Sequence, residues 1–143
     1  METLQTCVAC NQPITYMEPI RLKKGEKVGR LEDGDIVCQY CYNAIAFLRE
    51  ITTDIYNRVV AGEDKDLIAL DIMKRFGKHN YSLVFDCHEG SFNVESFDVS
   101  GNNRTFFVEQ SFHNAVFKTI EHTIIGTSNR LMKVIEKAEE ARK

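Results

Sequence analysis

A chain of 143 residues with 43% hydrophobic and 27% charged side chains and only two prolines has a globular composition, with room for one domain or two very small ones. That length excludes a multidomain enzyme with a separate cofactor module, and the composition argues against intrinsic disorder. A formal charge of −3 gives no global attraction to nucleic acid or anionic membrane, so any such role needs a local basic surface.

The first residues, Met1 to Cys7, lack the basic and apolar regions of a secretory signal. The longest purely apolar run, Ala44 to Leu48, is far short of the roughly 20 residues that cross a bilayer as a helix. The expectation is a cytoplasmic chain without membrane contact, whose cysteines stay reduced. Four of its five cysteines form two tight pairs, Cys7-Val8-Ala9-Cys10 and Cys38-Gln39-Tyr40-Cys41, which argues against a disulfide framework.

Between the pairs, residues 15–22 run to a turn at Lys24-Gly25-Glu26 and residues 27–31 return, which reads as a β-hairpin. A second turn at Glu32-Asp33-Gly34-Asp35 delivers Ile36-Val37 to the second pair. Each Cys-x-x-Cys lets one tight turn present two thiolates to one ion, and two pairs complete a tetrahedron of sulfur. The metal expected is one zinc on Cys7, Cys10, Cys38 and Cys41. With no ligand position left for water, that zinc is structural and not hydrolytic. Redox dithiols or plain core cysteines are the alternatives, but a redox pair belongs in a βαβ context, which is absent around Cys7.

From Cys41 onward the apolar spacing becomes helical, with Ile45, Leu48, Ile51, Ile55 and Val59 on one stripe and Gly62 as the stop. A knuckle, a hairpin and a helix whose first turn carries the last two ligands together resemble the treble-clef zinc finger over about residues 5–61. The segment is also distantly similar to the zinc-binding domain of the Clp unfoldase, where a second cysteine pair likewise leads into an apolar helix; the hairpin is longer here.

A second helix is predicted from Asp64 to Phe76, with Leu67, Ile68, Ile72 and Phe76 apolar and Gly77 at its end. A three-stranded meander follows over residues 81–87, 91–99 and 105–109, with turns at His88-Glu89-Gly90 and Ser100-Gly101-Asn102-Asn103. Phe92 and Val94 are in one phase and Phe97 and Val99 in the other, which predicts a bulge near Glu95-Ser96. Cys87 follows Leu83 and Phe85 on one strand face and reads as a small buried hydrophobe. Ser111 and Ser128 are candidate N-caps of two final helices, the first carrying Phe112, Val116, Ile120 and Ile124 and ending at Gly126, the second carrying Leu131, Ile135 and Ala138. The fold class is α+β: a four-cysteine finger over 1–62 and a helix, meander and two C-terminal helices over 63–143, packed as one unit.

Charge and aromatic placement carry the functional reading. Arg21, Lys23, Lys24, Lys27 and Arg30 gather on the hairpin with Glu26 against them, either as a phosphate-contacting surface or as a solvated face that blocks edge pairing. The meander is acidic, with Asp86, Glu89, Glu95, Asp98 and Glu109 against Arg104 alone. Phe106 and Phe107 face opposite sides of a strand, so helices covering one face leave the other aromatic as a partner or self-association surface. No glycine motif matches a nucleotide-binding loop, and Asp86, His88 and Glu89 read as polar turn residues. His113 and His122, nine residues apart, fall on opposite sides of a helix and cannot share a metal, and His79 has no evident partner.

The function expected is therefore non-enzymatic: a zinc-stabilised adaptor, regulator or inhibitor of bacterial or phage type that binds another macromolecule, in the first instance a protein. Two alternatives stand beside it. One is a nucleic-acid-binding transcriptional regulator using residues 21–30, and the other a small-ligand binder or enzyme with a pocket in the C-terminal half. A homo-oligomer is compatible with each.

Overall fold

The computed structural model describes residues 5–15, 17–79, 82–97 and 103–143, apart from the side chain of Arg104. The first cysteine pair lies in a tight turn closed by the Asn11 N–H donating to the Cys7 carbonyl (2.8 Å) and the Cys7 N–H donating to the Gln12 carbonyl (3.0 Å). Asn11 sits at φ 62°, a left-handed conformation that asparagine tolerates because its short polar side chain bonds locally. The Val8 N–H then donates to the Ile36 carbonyl (2.9 Å), which ties this knuckle to the later chain.

Strand β1 (Ile20–Arg21) pairs antiparallel with β2 (Ile36–Val37), Ile20 opposite Val37. The hairpin thus exists, but its second arm is 36–37 and not 27–31. Val28 and Leu31 are both buried and are joined by a turn hydrogen bond, Leu31 N–H to Val28 carbonyl, at 3.1 Å. A strand would point residues three apart to opposite faces, and Gly29 at φ 55° interrupts extended backbone between them.

Helix α1 (Gln39–Val60) buries Cys41, Ala44, Ile45, Phe47, Leu48, Ile51, Ile55 and Val59, the stripe expected from the 3.6-residue period. Helix α2 (Lys65–Phe76) is capped by Asp64, whose carboxylate accepts from the N–H groups of Asp66 (2.9 Å) and Leu67 (3.2 Å). It buries Ile68, Ala69, Ile72 and Phe76, while Leu67 turns outward. Arg58 bridges Asp71 (2.8 Å) and Glu63 (3.1 Å), and Arg75 bridges Glu50 (2.7 Å) and Asp54 (2.8 Å), so paired charges clamp α2 to α1. A 3-10 turn, Gly77–His79, then lays the His79 ring against Phe47 at 4.7 Å between centroids. This is the partner the sequence left unseen, and burial there pushes the imidazole below its usual pKa.

Strands β3 (Ser82–His88), β4 (Ser91–Phe97) and β5 (Asn103–Glu109) form an antiparallel sheet in the order β3-β4-β5. Glu89 (φ 50°) and Gly90 (φ 80°) make the two-residue turn between β3 and β4, with the positive φ pair that suits strand twist. The register shifts between Ser96 and Phe97: Ser96 opposes Thr105 and Phe97 opposes Asn103, which leaves Arg104 as the extra residue on β5. The bulge is one residue beyond the expected place and on the neighbouring strand. Tyr81 and the turn and strand end assigned to residues 98–102 lie outside the described residues.

Helix α3 (Phe112–Ile125) is buried almost all round, because the sheet lies on one side and α1, α2 and a last helix α4 (Arg130–Arg142) pack on the others. Ile45, Leu48, Ile51, Phe76, Phe117, Ile120 and Leu131 belong to one core cluster that joins the finger helix to the second half. Full burial of each such side chain contributes about 1.5–3 kcal/mol. The architecture is α+β, with four helices, an antiparallel hairpin and a three-stranded antiparallel sheet, and the cysteine pairs at one end.

Candidate metal centre

Two kinds of local structure deliver the four thiols. Cys7 and Cys10 come from the knuckle, and Cys38 and Cys41 from the start of α1. Cys38 is the N-cap residue in extended conformation, and its Sγ accepts from the Cys41 N–H at 3.4 Å. All four Sγ atoms lie within 4.8 Å of one another, close enough to bind one metal ion. Four bonds of about 2.3 Å in a tetrahedron require sulfur separations of about 3.8 Å, inside that limit, so the donor set fits a thiophilic metal. The amide groups and dipole at the start of α1 oppose the negative charge of the cluster.

The crowded thiols divide their protons unevenly. Hydrogen bonding with Cys10 drives Cys7 far below the ordinary thiol range and lowers Cys38 to about 7. Contact with Cys38 pushes Cys10 up, and contact with Cys10 pushes Cys41 up. Metal binding must therefore displace protons that the thiols retain.

Arg30 has a role that its charge alone did not suggest. Its Nη1 donates to the Val8 carbonyl (3.1 Å) and its Nη2 to the Ala9 carbonyl (2.8 Å), so the guanidinium braces the knuckle between the first two cysteines. Arg21 is likewise engaged, donating to the Gly34 carbonyl at 3.0 Å, and Lys27 pairs with Glu32 at 3.6 Å. Lys23 and Lys24 are exposed. The hairpin cations are thus interleaved with Glu26, Glu32 and local carbonyls.

The sheet separates Phe106 from Phe107 as the alternation requires. Phe107 faces α3, edge-on to the His122 ring at 5.5 Å, in the layer where Val94 is buried and the Ser96 and Thr123 hydroxyls meet at 2.6 Å. On the other face Val84, Phe106 and Val108 are 51%, 52% and 53% exposed. Glu95 stands between Val84 and Phe106 in the register, and Asn93 between Asp86 and Val108.

Cys87 is exposed, contrary to the buried hydrophobe expected. The Phe85, Phe92 and Phe112 rings close the inner layer, with centroids 5.0–5.9 Å apart, and Cys87 lies two residues beyond Phe85 near the end of the edge strand β3. His88 and Glu89 are solvated turn residues, and His113 bonds Asp66 at 2.9 Å, away from His122.

Sequence reasoning missed Glu121, which is fully buried and accepts from the Thr127 hydroxyl (2.5 Å) and the N–H groups of Arg130 (3.0 Å) and Leu131 (2.7 Å). It takes the capping role expected of Ser128. A carboxyl beside Ile120 and Ile124 on the apolar stripe of this helix was the available signal. Among the described residues no helix is long and apolar enough to cross a membrane. Comparison with protein-family models, curated proteins and solved structures finds no match, so neither the treble-clef nor the Clp resemblance gains support from relatives, and function rests on the chemistry of the surfaces.

Proposed function

We propose that this chain is a non-enzymatic binding module, an adaptor, regulator or inhibitor, in which one zinc ion on Cys7, Cys10, Cys38 and Cys41 holds a treble-clef-like finger and the open sheet face binds a protein. The observation that carries this reading is the exposure of Phe106 and Val108 side by side on β5 and of Val84 on β3, on one sheet face with Glu95 between the strands and Asp86 beyond Val84. Three large apolar side chains on one solvent face of a sheet are unusual in a monomer unless something docks there. The acidic surroundings select the partner's chemistry: an apolar segment flanked by lysine or arginine. Zinc would act only as a cross-link between knuckle and helix, since four sulfur ligands leave no open position. The hairpin as a nucleic-acid surface has less behind it, because Arg21 and Arg30 are held by backbone carbonyls.

The test selects displayed peptides on the metal-loaded protein and measures their affinity for wild type and for a Phe106→Ser, Val108→Ser double variant. Selected peptides should carry apolar residues among basic ones and lose at least tenfold in affinity on the variant. Stability should hold within about 0.5 kcal/mol, since both side chains are exposed. Peptides without that pattern, or binding indifferent to the variant, overturn the reading. So does sedimentation showing a dimer that the same double variant dissociates, which would give the face to a second copy.

A further inference from the structure

A cavity of about 240 Å³ lies where the knuckle, the start of β5 and the end of α3 meet, lined by Ala9, Arg30, Asn103, His122, Thr123 and Gly126. Two of these residues have unused hydrogen-bonding capacity. Arg30 carries five N–H donors and donates two bonds, to Val8 and Ala9, and no carboxylate among the described residues lies within ion-pair distance of it. Its knuckle bonds hold the guanidinium in place, and Nε is 3.6 Å from where a β carbon on Gly126 would stand, so glycine keeps the cavity wall open beside it. His122 lines the cavity, and its Nδ1 is a buried atom with no hydrogen-bond partner among the described residues, on a ring steadied by Phe107. Buried polar atoms are so regularly paired that an orphan on a cavity-lining ring calls for a partner.

The other polar groups of the lining are already engaged. The Thr123 hydroxyl bonds the Thr119 carbonyl and Ser96, and the Asn103 amide donates to Glu95 at 2.9 Å. Among the described residues no carboxylate belongs to the lining. A fixed guanidinium with free donors beside an imidazole ring, with no carboxylate among the described lining residues, is complementary to an oxyanion. The volume is below the roughly 300–1,000 Å³ typical of clefts for drug-sized ligands, which limits the ligand to a small one.

We propose that this cavity binds a small molecule through a phosphate or carboxylate group, with Arg30 as its charge anchor and the His122 ring as its second contact. The site joins the finger to the second half, so an occupant would stabilise the seam between them. It is independent of the open sheet face.

Inorganic phosphate and acetate, each titrated at constant ionic strength into the metal-loaded protein, are the probes, followed by proton–nitrogen correlation spectra. Saturable shifts at the Arg30 Nε–H and the amides of Thr123 and Gly126 are expected, with one of the two anions at least tenfold tighter; which one identifies the group the site takes. Arg30→Lys keeps the charge but loses the fork and should weaken binding at least tenfold. Because Arg30 also braces the knuckle, His122→Phe and Asn103→Asp serve as variants that leave the brace intact, and each should weaken binding about tenfold with metal content unchanged. The proposal is overturned if neither anion gives saturable shifts at these positions, or if binding is indifferent to both His122→Phe and Asn103→Asp.

Discussion

The side chain of Glu121 accepts a hydrogen bond from the backbone N–H of Leu131 across 2.7 Å, and both residues are fully buried. Helix α4 begins at Arg130 with no cap from its own preceding residue, Asn129, so its first free amides are satisfied from α3 instead. One carboxyl thereby fixes how α4 docks, because the bonds form only when the two helices sit in this arrangement.

Glu121→Ala should accordingly be among the costliest single changes in the chain. It leaves two backbone donors and the Thr127 hydroxyl without their partner, one of them buried and two half-buried, which corresponds to about 3 kcal/mol. In a chain of this length the loss should lower Tm by roughly 6–12 °C in a thermal melt. Glu121→Gln keeps one oxygen acceptor and should lose about half as much. A melt of Glu121→Ala matching wild type would mean that the cap contributes nothing.

Gly29 and Gly25 form a paired test of the loop between β1 and β2. Both have positive φ, 55° and 87°, so alanine at either carries left-handed strain of about 1–2 kcal/mol. At Gly29 an added β carbon would also stand 2.6 Å from Cδ1 of the buried Ile125, whereas at Gly25 it meets nothing within 4 Å. Gly29→Ala should exceed Gly25→Ala by about 1–2 kcal/mol in denaturant titrations, the cost of overpacking. Equal losses would show that Ile125 yields freely.

The cysteine cluster predicts one metal per chain by elemental mass spectrometry, zinc by the proposal above, and a proton dependence of known sign. Cys10 and Cys41 are pushed up and hold their protons near neutral pH, so loading displaces at least two. Affinity measured by chelator competition should fall by about a hundredfold for each unit of pH lowered, since each displaced proton counts tenfold. Below about 7, where Cys38 also takes up its proton, the fall should steepen. Cys38→Ser should abolish stoichiometric loading, and an affinity flat across this range would remove the four-thiolate site.

How much of this was legible before the fold depends on the distance over which each feature is set. The stripe from Ile45 to Val59, the Glu89-Gly90 turn and the opposite facing of Phe106 and Phe107 follow from backbone periodicity within a few residues, and each is where that periodicity puts it. The hairpin arm was misplaced because residues 27–31 alternate plausibly in isolation. Their Val28 and Leu31 are drawn instead to a core that the local pattern does not contain. Cys87 differs for the converse reason: it follows Phe85 in strand phase, but it stands near the end of an edge strand and is exposed.

The sequence by itself determined the helices, the meander and the candidate four-cysteine cluster, because helical period, turn chemistry and Cys-x-x-Cys spacing are short-range constraints that the chain satisfies locally. Tertiary structure alone decided that Arg30 braces the knuckle, that Glu121 caps α4 across α3, that His122 lines a cavity, and which face of the sheet stays open. Each of those depends on groups from distant segments meeting at hydrogen-bond distance or in van der Waals contact, and such meetings are set by how the apolar faces pack.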